Sequence, residues 1–578
     1  MRSHHRRTLA AVLLALLPAL ALAVRGGAEP AGLRFDAARK GPHGTVLLLN
    51  NCDASDMPAD GKDHADRYGP DNADAVINGP ADLQQVEPIK LRQARPRGAV
   101  TLRLVNDPAG GAMRAVDKVR VFNARGKEIL GNHTGTAYAL TRDETERLAR
   151  GDLPLYAEGL QFAVAARLQL LDGGEKQDEL ALYVAPFLMS PHTQLPVRNM
   201  VVHLTNRRCG QGPLDSDRYV ADFADGCRRA GVDAQVFSVP QCDVWIQDEL
   251  EWGWTETPRA SMPVVLHMHR QRELDRLVRG LLAPGVGYFH AFDYRRAAPE
   301  SMDYGGDLEV TPPTREYPFG RVYYGSVSST PTETDRYVPH RHIADGFQEF
   351  FRRQKRHPSD AHALQEPIGL CTDWLGVGHV DEIVSFVPAN TKHGFALLWA
   401  SPERALELLQ DLPPETRQDP RYLDPRYGRH YGLQTVEDIL QARSVGGSTF
   451  LGPGQDLQTY NLRAAAKVRR ARDTLQKELG LGDDEVFEVP VLFANEQPHV
   501  WAALALTPGM VNLSSMGRVS LVPDPLIPAF REDCARTLRA LGQTPVFIDD
   551  WALYHTMAGE VHCGSNQLRK PFDRKWWD

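Results

Sequence analysis

Near the end of a 578-residue chain, the segment Gly559-Glu560-Val561-His562-Cys563-Gly564-Ser565-Asn566 sets one cysteine among polar neighbours and beside a glycine. A flanking glycine lets a sulfur meet a substrate without crowding. Polar neighbours on both sides argue against a buried core thiol, the usual place of an isolated reduced cysteine. Two further segments carry complementary groups: Trp245-Ile246-Gln247-Asp248-Glu249 and Gly378-His379-Val380-Asp381-Glu382. The three together supply a thiol, an imidazole and two carboxylates. That set suits nucleophilic attack on a planar cationic group.

Positioning follows from local pattern. His379-Val380-Asp381 runs into Ile383-Val384-Ser385-Phe386-Val387, and strand alternation would put His379 and Asp381 on one face, about 7 Å apart. A structural His–Asp pair is the plainer alternative. Metal ligation by this pair alone lacks a third ligand at helical spacing. Asp248 lies among Gln247, Glu249 and Glu251, bracketed by Trp245 and Trp252. In a regular strand the three neighbours would share a face opposite Asp248, one face for calcium and the other for substrate. Trp245 then falls with the glutamates, so a local irregularity is expected.

The elements that must hold these segments divide in two. From residue 45 to about 190, short alternating stretches (Thr45–Leu49, Val100–Val105, Lys118–Phe122, Phe162–Leu170, Leu180–Val184) predict a β-sandwich. The three prolines between Pro186 and Pro196 mark a linker. Beyond it, strand-like runs such as Val197–Leu204 and Phe395–Ala400 alternate with helical patterns such as Ser216–Gly231 and Asn461–Leu479, an α/β or α+β mixture. Residues 413–432, rich in Pro, Arg, Tyr and Asp, read as a long surface loop. No fixed-period repeat is visible in the residues.

Composition narrows the function classes. A chain of this length exceeds one core, and 42% hydrophobic with 24% charged residues is ordinary for a globular protein. A net charge of -8 disfavours nucleic acid as a partner. Arg2, Arg6 and Arg7 precede an apolar run from Leu9 to Leu22, and Ala21-Leu22-Ala23 offers a cleavage site. The run falls short of a membrane span, so residues 1–23 are expected to be a cleaved export signal. A secreted or periplasmic product, not membrane-bound after cleavage, follows. Seven cysteines, an odd number, leave at least one thiol free in an oxidising compartment. The acids from Asp53 to Asp82 read either as a solvated loop or as hard-cation ligands.

The three chemical segments, with Leu47-Leu48-Leu49-Asn50-Asn51-Cys52-Asp53, Val119-Arg120-Val121-Phe122, Ala185-Pro186-Phe187 and Leu308-Glu309-Val310-Thr311-Pro312-Pro313, resemble the protein-arginine deiminases in family order. These enzymes convert peptidyl-arginine to peptidyl-citrulline. The resemblance implies an immunoglobulin-like β-sandwich over residues 24–195, then a pseudo-fivefold α/β propeller of the guanidino-group-modifying type over 196–578. Animal members carry a further N-terminal domain, for which this chain has no room after the signal. By the same resemblance Cys563 is the nucleophile and His379 the general acid/base, while Asp248 and Asp381 hold the guanidinium. Trp245 packs on the substrate's aliphatic stem, and Arg270 and Arg272 meet the peptide backbone. The expected substrate is an arginine-containing protein or peptide.

Calcium is the implied cofactor. The resemblance assigns one ion to Gln247, Glu251 and Glu309 with the carbonyls of Gly305 and Leu308. A second maps to Glu249, His267, Met268 and Gln271; His and Met are poor ligands for a hard cation, so that site is expected to be lost or rebuilt. Asn51 and Asp53 match part of a cluster in the sandwich, where Ser55 replaces an acid. Met557-Ala558 stands where the family has a substrate-side Arg-His pair. Two rivals remain. A hydrolase of free arginine or another small guanidino compound would need groups that clamp an α-carboxylate and α-amine. A catalytically silent binding protein would not need Asp248, His379, Asp381 and Cys563 intact.

Overall fold

The computed structural model describes residues 33–53, 85–110, 115–206, 209, 212–268, 270, 272–290, 300–327, 341–445, 448–449, 456–495 and 501–578. Residues 1–23, expected as an export signal, the acidic segment from Ser55 to Asp82, and Gln271 lie outside the described residues. No helix among the described residues is long and apolar enough to cross a membrane.

Each expected N-terminal strand forms, and in Val100–Asn106 alternation explains why. Leu102 and Leu104 point inward from Val100–Asn106 while Arg103 points out. Two five-stranded sheets result. One runs in the order Phe35–Asp36, Glu87–Leu91, Pro154–Gly159, Val119–Phe122, Glu128–Leu130; the other Val46–Leu48, Glu175–Val184, Ala165–Asp172, Val100–Asn106, Ala137–Ala139. Val46, Leu48, Ile89, Leu102, Val121, Leu155, Leu168 and Leu182 share one apolar core, so the sheets pack face to face. The helix Arg142–Arg150 interrupts the strands; Thr141 and Glu144 form a reciprocal capping box at its start.

Beyond Pro196 five sheets share one pairing pattern. A central strand pairs antiparallel on one side and parallel on the other. The centres are Pro196–Leu204, Ser261–His267, Val322–Ser326, Phe395–Ser401 and Val519–Pro523. In each, the chain reaches the parallel partner through a segment containing a helix: Gly212–Ala230, Asp275–Arg279, Asp345–Arg353, Leu457–Leu479 and Pro528–Ala540. Parallel partners require such a crossover. The first centre lacks a preceding antiparallel strand and takes the last strand of the chain instead, Ser565–Arg569. The region therefore closes on itself. Leu188–Met189 extends the second sheet, antiparallel to Leu250–Glu256, and so ties the N-terminal sandwich to it. Residues 413–432 form two short helices, Pro414–Gln418 and Pro425–Tyr431, rather than an irregular loop; Asp424 caps the second.

Candidate active site

Cys563, Asp381, His379 and Asp248 converge although they are far apart in sequence. Neither carboxylate segment is a strand as alternation would have it. Val380–Glu382 is a single 3-10 turn, with the strand starting only at Val384. The Glu382 carboxylate accepts from the backbone N–H groups of Gly378 and His379, 3.0 and 2.9 Å away, which caps the turn. Gly378 has φ +101°, which favours glycine. Ile246–Glu249 is likewise one helical turn ahead of the strand Leu250–Glu256. That is the expected irregularity, and it frees Asp248 from the alternating faces.

The turns leave the four groups buried but incompletely paired. His379 Nε2 donates to the Ser301 carbonyl at 2.8 Å, which leaves Nδ1 to exchange a proton in the neutral ring. Nδ1 lies 3.8 Å from Asp248 Oδ1. Asp381 Oδ2 is 2.9 Å from His562 Nδ1 and 3.5 Å from Cys563 Sγ. A Cβ at Gly306 would come 2.5 Å from His379 Nδ1 and 3.2 Å from Asp381 Oδ2, so this position admits only glycine. Asp248 Oδ1 and Asp381 Oδ1 are buried without a hydrogen-bond partner among the described residues. Buried carboxylate oxygens left so are costly unless a ligand satisfies them.

Asn512, which the sequence gives no reason to select, holds Cys563. Its Nδ2 donates to Cys563 Sγ and to the Asp381 carbonyl, both at 3.2 Å. Its Oδ1 accepts from the backbone N–H groups of His562 and Cys563 at 3.0 and 3.2 Å. Beside the sulfur, Gly509, Asn512, Gly559 and Glu560 line a cavity of about 20 Å³, room for one water. Trp245 is half-buried, its ring facing Gly559 and edge-on to Tyr554 at 5.4 Å.

Burial pushes the Cys563 thiol well above its ordinary 9.0, and the Asp381 and Asp248 carboxylates push it further. Burial also raises Asp248, with Arg270 and His379 opposing. A raised thiol is protonated at neutral pH and yields thiolate only as pH climbs. Alkylation of Cys563 by a neutral reagent, without substrate, is therefore expected to be slow at pH 7 and still accelerating at pH 9. A rate that levels off below pH 8 would contradict this electrostatic picture.

Arg270 and Arg272 part company. Arg272 is exposed and lies over the Tyr304 ring at 5.7 Å, while Tyr304 is edge-on to His379 at 6.1 Å. Arg270 is buried; it bonds Asp243 at 2.8 and 3.0 Å and Glu249 at 2.9 Å, and lies 3.6 Å from Asp248. In this arrangement the Arg270 guanidinium serves internal acids and does not face a peptide.

The oxygen-rich residues gather beneath Asp248. Gln247 Nε2 hydrogen-bonds Glu251, and Asn566 Nδ2 donates to Gln247 Oε1 at 3.0 Å. Burial holds the carboxyls of Glu251 and Glu309 well above the ordinary range; Glu251 raises Glu309 further. Burial likewise brings Arg569 down to about 9, although both acids pull it the other way. Glu309 Oε1 has no hydrogen-bond partner among the described residues. Two buried acids with an orphaned oxygen fit a hard divalent cation.

The second acid group is built differently. Glu249 meets Arg270, with His267 Nε2 3.9 Å away; that same nitrogen is 2.9 Å from Asp275 Oδ1. Met268 is buried. Asn51 Nδ2 donates to Glu158 at 3.4 Å, and Asp53 accepts from Gln85 at 2.7 Å and from the Gly285 backbone.

A family model described as protein-arginine deiminase matches residues 175–578. Protein-arginine deiminase type-1 of Homo sapiens is 31% identical over 574 residues, covering 93% of this chain and 79% of the relative. Type-4 of Rattus norvegicus is 31% identical over 584 residues, covering 95% and 80%. Among solved structures, a C. jejuni agmatine deiminase aligns with 67% of this chain and 97% of its own at 12% identity, with a TM-score of 0.37. With its sheets, its turns and the convergence of Asp248, His379, Asp381 and Cys563 in place, the chain belongs to the protein-arginine deiminase family, hydrolases that act on the C–N bonds of amidines.

Proposed function

We propose that this protein hydrolyses peptidyl-arginine to peptidyl-citrulline and ammonia through a covalent adduct on Cys563. One observation carries the reading: the partnerless oxygens of Asp248 and Asp381, buried beside His379 and Cys563. A guanidinium presents forked N–H donors that satisfy carboxylates bidentately. Its charge also offsets the two acids that keep Cys563 protonated, so substrate binding favours the thiolate. His379 Nδ1 takes the thiol proton as Sγ attacks the central carbon. The tetrahedral adduct expels ammonia when the same imidazole returns that proton to the leaving nitrogen. Water, deprotonated by His379, then cleaves the thiouronium, releasing citrulline and the thiol. Trp245 packs on the substrate stem, and exposed Arg272 addresses the peptide backbone.

Several coarser features belong to the same reading. The face-to-face sheets support an immunoglobulin-like domain over 24–195, and the closed set of five alike sheets supports a pseudo-fivefold propeller over 196–578. The charged and apolar pattern of residues 1–23 supports export.

Gln247, Glu251 and Glu309, with the carbonyls of Gly305 and Leu308, would hold a calcium ion, which when bound supplies positive charge to these acids and steadies the adjoining turn. Glu249 is committed to Arg270, so fewer ions are expected here than the family's two near the active site. The test is citrulline formation from a blocked arginine peptide beside free arginine, with and without calcium, alongside calorimetric ion counting. Expected are preference for the peptide, loss of activity on chelation, and a higher calcium requirement in Glu251→Gln. Full activity of demonstrably metal-free protein would refute the calcium requirement; preference for free arginine would refute the peptide substrate.

A further inference from the structure

The acid Glu309 faces two histidines that the reaction does not use. His192 Nε2 hydrogen-bonds its carboxylate, and His562 Nε2 lies 3.6 Å from its Oε1. The two imidazole rings stand 4.7 Å apart. One ligand atom from each of the three residues falls within 4.8 Å of the others. All three side chains are largely buried, at 13%, 2% and 6% exposure for His192, Glu309 and His562.

We propose that His192, Glu309 and His562 form a binding site for a divalent transition metal ion of the zinc class, distinct from the oxygen-only cluster of Gln247 and Glu251. Two imidazoles and one carboxylate match the preference of such ions and not that of calcium. A tetrahedral ion with bonds of about 2.0–2.1 Å spaces its ligand atoms about 3.3 Å apart. The 3.6 Å gap between His562 and Glu309 needs little adjustment. The partnerless Oε1 of Glu309 is an acceptor ready for the ion. His562 completes the pattern, because its other nitrogen, Nδ1, is 2.9 Å from the Asp381 carboxylate. Metal-bound imidazoles are oriented by such a carboxylate.

The site is inhibitory by its position. An ion on His562 Nε2 places positive charge one imidazole away from Asp381, against a cationic substrate. It also engages Glu309, and that part of the inference rests on the calcium reading: the two ions exclude each other at this carboxylate.

The test uses the full-length protein after chelator treatment. Cobalt(II) is titrated while its visible d–d absorption is followed, and zinc is measured by its displacement of cobalt. Expected are one equivalent with tetrahedral intensity and affinity at least about tenfold weaker in both His192→Asn and His562→Gln. His192→Asn should keep the calcium-supported activity measured without zinc while requiring about tenfold more zinc for half-inhibition. Lack of a cobalt band, a band unchanged in both variants, or equal zinc sensitivity of wild type and His192→Asn would overturn the site. Saturating calcium should weaken cobalt binding; unchanged binding would overturn the sharing of Glu309. Calorimetry with calcium alone separates that result from a failure of calcium to bind at all.

Discussion

Cys563→Ser is expected to lower citrulline formation by at least about a thousandfold while leaving the fold intact. Serine is nearly isosteric, and its hydroxyl can keep both contacts of the sulfur, the 3.2 Å bond from Asn512 and the 3.5 Å approach to Asp381. What it loses is acidity. Even a thiol raised by burial and two carboxylates can ionise once a guanidinium neutralises those acids, whereas a hydroxyl in the same place stays protonated and attacks far more slowly. Circular dichroism and thermal unfolding should match the wild type. A folded Cys563→Ser enzyme that turns over within tenfold of wild type would sink the nucleophile assignment.

Asp381→Asn is expected to reduce kcat/KM by roughly tenfold to several hundredfold. A charge-assisted hydrogen bond contributes about 1.5–3 kcal/mol, and the exchange also disturbs the neighbours of this carboxylate. Its Oδ2 serves His562 at 2.9 Å, and its backbone carbonyl accepts from Asn512. Loss of the negative charge should also make Cys563 easier to ionise without substrate, because Asp381 is the largest electrostatic contributor to its raised pKa. The two consequences oppose each other in a way that a general structural defect would not. Neutral alkylation of Cys563 should become faster at pH 7 as turnover becomes slower. If both rates fall together, Asp381 acts through folding and not through charge. Asp248→Asn should show the same sign with a smaller acceleration of alkylation, since Asp248 contributes less to the thiol's shift.

Much of the site was readable from residue types. A thiol, an imidazole and two carboxylates in polar segments already suited chemistry on a cation, whereas Gln247, Glu251 and Glu309 were joined as a ligand set only through the family resemblance. The strand Val100–Asn106 was legible because it buries one face, and a half-buried strand writes its period into the sequence; Val46–Leu48, buried on both faces, was legible by its apolar run. The charged and then apolar pattern of residues 1–23 is read locally, without reference to a fold.

Tertiary structure decided how these pieces act. Alternation failed at both carboxylates because each sits in a short turn capped or closed by local bonds, and such turns carry no periodicity. The common logic of those turns emerges only from the sheets. Asp248, Gly306, Glu382, Asn512 and Cys563 each stand two residues before the antiparallel strand of one of the five alike sheets. Five units so distant in sequence share no visible repeat, because pairing constrains backbone direction and leaves side chains free. Asn512 was invisible for the same reason: its four contacts to Cys563, His562 and Asp381 join segments more than 45 residues apart. By resemblance Arg270 was expected to meet a peptide backbone, yet folding draws it into Asp243 and Glu249, since a buried carboxylate needs a charged partner. Sequence by itself determined which reactive groups this protein carries; the closing of the last strand, Ser565–Arg569, onto Pro196–Leu204 determined that they meet, because it carries Cys563 back across the chain to the turns that hold Asp248 and Asp381.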